Sequence, residues 1–130
     1  MINGLRSTAF LCTVIVLAGC GESRNSMDTR TYYGAFNMIV MEVENLQFQV
    51  SVDTYKGQFN PIEDQLGAAI HAFKTNEDVK GTPLEAEAQK LADQETEIVK
   101  LWQSRGSVET IRAAAKEMQV QVDHMKTMLE

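Results

Sequence analysis

The stretch VETIRAAAKEMQVQVDHMKTML, residues 108–129, decides the fold. Its residues Val108, Ile111, Ala115, Met118, Val122, Met125 and Leu129 recur at spacings of 3, 4, 3, 4, 3 and 4. A helix turns once in about 3.6 residues, so these side chains share one face while mostly polar residues fill the other. A half-buried strand needs alternation at every second residue, which the run lacks. The stretch predicts an amphipathic helix whose apolar stripe must be covered by other parts of the chain.

Working outward, Gly106 reads as the terminator of a preceding helix and Ser107 as the cap of this one, leaving room only for a tight turn. Upstream, Thr82-Pro83-Leu84-Glu85 is a helix start, with a capping residue, proline at the first helical position and glutamate at the third. That third helix points Leu84, Ala88, Leu91, Ile98 and Trp102 inward, with Ala92 and Val99 beside them. Glu95 falls on the same stripe, where its ionised form is costly without a partner. An edge position, or pairing with Arg112 or Lys74, is the expected resolution.

Asn60-Pro61-Ile62-Glu63 repeats the start signal, with Asn60 as cap. It opens a shorter helix burying Ile62, Leu66, Ala69 and Phe73, which fades into a polar loop at 75–81. From Thr29 to about Thr54, Tyr32, Phe36, Ile39, Val43, Leu46 and Val50 form another heptad seam, flanked by Tyr33, Val40 and Gln47. Within it, residues 47–55 alternate and are rich in β-formers, so a strand competes there with the helix. Four amphipathic helices on short connections favour an all-α domain over 29–130, an antiparallel up-down-up-down four-helix bundle.

The 130-residue chain is 44% hydrophobic and 23% charged, a globular composition of one domain. Its net charge is −6; beyond residue 19 it holds 11 basic and 18 acidic residues, a net of −7. Nucleic acid is thereby disfavoured as a partner, since its binding depends on Lys and Arg neutralising phosphates.

Residues 1–19 have a different character. Arg6 precedes the apolar run Ala9–Ala18, which is as long as a secretory h-region and short of the roughly 20 residues that span a bilayer. The run ends in Leu17-Ala18-Gly19-Cys20, which resembles a bacterial lipobox. That resemblance implies recognition of Leu17, Ala18 and Gly19 by a signal peptidase, cleavage before Cys20 and acylation of Cys20. Residues 1–19 would then be a cleaved signal peptide, and 20–28 a lipidated N-terminus and flexible tether. The membrane becomes a partner through several acyl chains, each methylene adding about 0.8 kcal/mol. Gly21 stands where aspartate would direct retention in the inner membrane of enteric bacteria, so the resemblance implies an envelope protein of the outer membrane, facing the periplasm or the cell surface. Cys12 and Cys20, the only cysteines, both fall in this region, so the bundle contains neither a disulfide nor a Cys-x-x-Cys-His haem motif.

Few groups suggest chemistry. His71 and His124 are both expected to face solvent, and neither follows a glutamate by three residues, so the Glu-x-x-His element of di-iron bundles is missing. Met38 and Met41, and Met125 and Met128, form pairs three residues apart that suit a soft ion such as Cu(I), with His124 adjacent; methionine also fills core gaps. With helices 1 and 4 antiparallel, Met125 is expected level with residue 33, which separates the two pairs by roughly 8–10 Å along the axis. No nucleophile triad, phosphate loop or zinc spacing occurs in the sequence.

Residues 107–129, and more loosely 83–129, resemble the last two helices of the periplasmic four-helix cytochromes, b-type and c-prime. The shared features are the glycine turn, Val108, the run Ala113-Ala114-Ala115 and a late histidine. The resemblance implies a bundle. It opposes haem, because His124 falls about two residues early and Lys126 takes the ligand position. The expected function is a non-enzymatic binding or interaction module with a protein partner in the envelope and no cofactor. The alternative is a haem or copper carrier using His124 and the methionines of helix 1.

Overall fold

The computed structural model describes residues 26–52 and 59–129, which form four helices: α1 Tyr32–Val52, α2 Phe59–Lys74, α3 Pro83–Gln103 and α4 Val108–Leu129. Helix α1 packs on α2 and α4, and α3 packs on the same two, while the diagonal pairs stay apart. Each interface is antiparallel. Phe36 meets Phe73 across α1–α2 with ring centroids 5.7 Å apart, and Gln47 Nε2 donates to Gln119 Oε1 at 2.7 Å across α1–α4. Lys74 Nζ donates to Gln89 across α2–α3, and Gln121 Nε2 to the Glu87 carbonyl across α3–α4. The result is an up-down-up-down four-helix bundle.

The heptad stripes line its axis. Ile111, Ala115, Met118, Val122 and Met125 of α4 are fully buried against Ile39, Val43 and Leu46 of α1, Leu66 and Phe73 of α2, and Leu91 and Ile98 of α3. Removing such a side chain from water contributes about 1.5–3 kcal/mol. The stretch that alternates from residue 47 is helical through Val52, because the seam continues there with the buried Val50. Residues 53–58 lie outside the described residues.

Several local expectations change. Asn60 does not cap α2, which already includes Phe59; Pro61 sits in the first turn, where a missing N–H has no intrahelical acceptor to lose. Thr82 does occupy the cap position of α3 with Pro83 following, but its hydroxyl donates back to the Val79 carbonyl at 2.6 Å. At the end of α3 the left-handed residue is Arg105, with φ of 57°, rather than Gly106. Arg105 N–H donates to the Trp102 carbonyl and Gly106 N–H to that of Leu101, the two bonds of a Schellman motif. Ser107 caps α4 as expected, its Oγ accepting from Thr110 N–H at 3.1 Å. The polar loop between α2 and α3 hides Val79, which is fully buried and closes that end of the bundle.

Before α1, residues 26–31 fold back along the helix as a strap. Asn37 Nδ2 donates to the Ser26 carbonyl at 2.8 Å, and the Thr31 hydroxyl donates to the Asp28 carbonyl at 3.0 Å. The strap lies so close that a Cβ on Gly34 would overlap the Asp28 backbone, so glycine is required there by space alone.

Candidate functional site

The lipobox residues Leu17, Ala18, Gly19 and Cys20 lie outside the described residues, so the geometry concerns the bundle. The thioether candidates come first. Counting antiparallel from the Gln47–Gln119 bond, Met41 is level with Met125 and Met38 with Met128, so the expected axial offset of the two pairs is absent. Rotation about the helices separates them instead. Met38 lines a small cleft with Thr29 and with Gln65, Ala68 and Ala69, facing α2. Gln47, nine residues on and therefore half a turn round, faces α4. Met41 is exposed, Met125 is fully buried in the core and Met128 is partly buried at the end of α4. The structure does not bring these four sulfurs to one point.

His124 and His71 are both exposed, as their places off the apolar stripes predict. His124 Nε2 lies 3.6 Å from Glu87 Oε1 on α3, a partner that the sequence alone did not suggest. Gln121 Nε2 donates to the same carboxylate oxygen at 3.0 Å, and Lys90 Nζ reaches the other at 3.3 Å. The Gln121 bond, aided by the Lys90 and His124 charges, holds the Glu87 carboxyl below its usual range. With its oxygens already engaged by donors, this group serves to tie α3 to α4. Among the described residues, no three His, Cys, Asp or Glu side chains cluster as metal ligands would.

Among the described residues Glu95 is the carboxyl pushed furthest above its ordinary range. It pairs with neither Arg112 nor Lys74. Arg112 donates instead to the Val50 and Ser51 carbonyls at 2.8 and 3.1 Å, covering the open C-terminal end of α1. Lys74 is occupied by Gln89. Glu95 is half-buried between α2 and α3, against Gly67, where an added Cβ would lie 3.1 Å from Oε2. Burial, then the hydrogen bond with Glu63, then the Glu63 and Asp64 charges push its carboxyl up to about 8. Glu63 and Glu95 line an open cleft of about 270 Å³ with Thr96, Val99, Lys100 and Gln103. With its carboxyl at about 8, Glu95 keeps its proton at neutral pH.

The consequence for stability has a definite sign. Unfolded Glu95 loses its proton near 4.5 and folded Glu95 near 8, so between these values the folded state binds more protons and stability falls as pH rises. The melting temperature of the parent should therefore drop from about pH 5 to about pH 9 more than that of Glu95→Gln, which keeps a neutral hydrogen-bonding group. Parallel pH profiles in thermal denaturation would remove this proton from the account. Because Glu95 is half exposed, added salt should flatten the difference.

The bundle buries a second acid, which the apolar stripes do not mark. Glu42 is 3% exposed and Gln49 9%, on the α2-facing flank of α1, with Asn45 Nδ2 donating to Glu42 Oε1 at 3.3 Å. Ala35, Glu42 and Gln49 stand seven apart and are all buried, a spacing visible in the sequence but masked there by their mixed polarity. Comparison with known protein families, characterised proteins and solved structures finds no match to this chain.

Proposed function

We propose that this chain is a lipid-anchored envelope protein whose helical bundle is a non-enzymatic binding or interaction module. The observation that carries the reading is Leu17-Ala18-Gly19-Cys20 at the end of the apolar run Ala9–Ala18. Acyl chains on Cys20 hold the bundle at the outer membrane, facing the periplasm or the cell surface, where a protein partner in the envelope is its target. Three further features support the reading. No helix among the described residues is long and apolar enough to cross a membrane, so a peripheral domain on an anchor suits this chain. The acidic balance disfavours nucleic acid. The polar groups that do gather, at Glu87 and at Glu63–Glu95, join helices to each other.

The test is processing. In a bacterial host fed labelled fatty acid, the parent chain should carry label, fractionate with membranes and lose the mass of residues 1–19, whereas Cys20→Ala should do none of these. Label retained by Cys20→Ala would overturn the proposal.

A further inference from the structure

The geometry points to the outer face of α1 as the surface that lies on the lipid bilayer, an inference that rests on the proposed anchoring at Cys20. Four large apolar side chains are exposed among the described residues; Met41, 37% exposed, and Phe48, 68%, lie on this face, and Met27, 41%, is on the strap beside α1. Met41 and Phe48 are seven residues apart, two turns along one line of the helix, pointing away from the buried Ile39, Val43 and Leu46. The fourth, Val120, lies on the outer face of α4.

Charge distinguishes this face from those of α3 and α4. Helix α1 has no lysine or arginine; of its two acids, Glu42 is buried and Glu44 alone is exposed. On the strap, Arg30 and Asp28 neutralise each other at 2.7 Å. The outer faces of α3 and α4 carry exposed Lys90, Asp93, Glu97, Glu109, Lys116 and Glu117. A charged face near the acyl region loses hydration, and a chain with a strong acidic excess is also repelled by anionic headgroups. This face, whose one exposed helical charge is Glu44, meets less of both costs.

The path of the chain selects the same face. Ser26, where the described residues begin, is held by Asn37 on the flank of α1, not at the end of the bundle. Five residues lie between Cys20 and Ser26, six steps of the chain with a reach of at most about 22 Å. Helix α1 is about 30 Å long, so an anchor of that reach leaves the Met41–Phe48 stripe close to the headgroups. The end of the bundle nearest the strap offers Glu77, Asp78 and Lys80 instead, all exposed.

The experiment places tryptophan on two faces. Full-length Phe48→Trp and Val120→Trp chains are expressed in a bacterium, Cys20 acylation is read by mass, and the proteins are reconstituted in phosphatidylcholine vesicles with brominated acyl chains. Trp102 supplies a constant background measured in the parent. Bromolipid should quench the added emission of Phe48→Trp several-fold more than that of Val120→Trp. Equal quenching of both, or of neither, overturns the inference, as does a Phe48→Trp emission already blue-shifted without vesicles, which would mean the stripe is covered by the chain's own N-terminal segment or a second copy. If the mass shows no acyl chain, the anchoring reading fails by itself. The face is then read with a maleimide lipid coupled to Cys20 in a Cys12→Ser background, by the same quenching criterion.

Discussion

Met118→Asp should abolish the cooperative melt. Met118 is fully buried at the centre of the α4 stripe, and the substitution both empties its volume and places a carboxylate within the apolar cluster. The combined cost exceeds about 4 kcal/mol, a large part of the 5–15 kcal/mol that holds a domain folded. The control lies two residues away. Val120 is 61% exposed, so Val120→Asp should shift stability by no more than about 0.5 kcal/mol. Thermal unfolding followed by near- and far-ultraviolet circular dichroism separates the two. A sharp melt in Met118→Asp would contradict the assignment of this face to the core.

Gly34→Ala should destabilise the domain although alanine is the better helix former. The new Cβ would land on the Asp28 backbone, which cannot rotate away as a side chain could. The strap has to lift. It would take with it the Asn37 bond to Ser26 and the Thr31 bonds to Asp28. Each such bond contributes about 0.5–1.5 kcal/mol, against about 0.5–1 kcal/mol gained from helix propensity, so a net loss of about 1–2 kcal/mol is expected. Gly67→Ala supplies the contrast. Its Cβ would meet only the end of the Glu95 side chain, at 3.1 Å, so that substitution should be neutral or stabilising. Urea denaturation measures both effects, and limited proteolysis should cut the strap faster only in Gly34→Ala.

The differing fates of these residues show what could be read from the sequence and what could not. The α4 stripe was legible because a 3–4 repeat has only one structural meaning at that length, and the α1 seam was equally so up to residue 46, beyond which alternation competes with it. The exposure of His71 and His124 followed from their places off the apolar stripes of α2 and α4. Arg105 escaped notice because glycine next to it is the residue that ordinarily takes a left-handed conformation, and here the turn set the conformation one position earlier. Val79 escaped because one apolar residue among polar loop neighbours has no period to reveal it.

By itself the sequence determined that there are four helices, which stripe of each turns inward and that their chain order permits an antiparallel bundle, because these depend on local periodicity and short connections. It also contains the lipobox-like site at Cys20, on which the proposed location depends. Only the tertiary structure decided register and rotation: Met41 level with Met125 yet facing solvent, Glu95 against Glu63 instead of Arg112, Glu42 buried on the α2 side, and the strap laid across α1. The physical reason is that a stripe specifies one direction per helix, while the flanks of that stripe are assigned by two neighbours at once. Which polar groups meet is therefore a property of all four helices packed together, and no single segment encodes it.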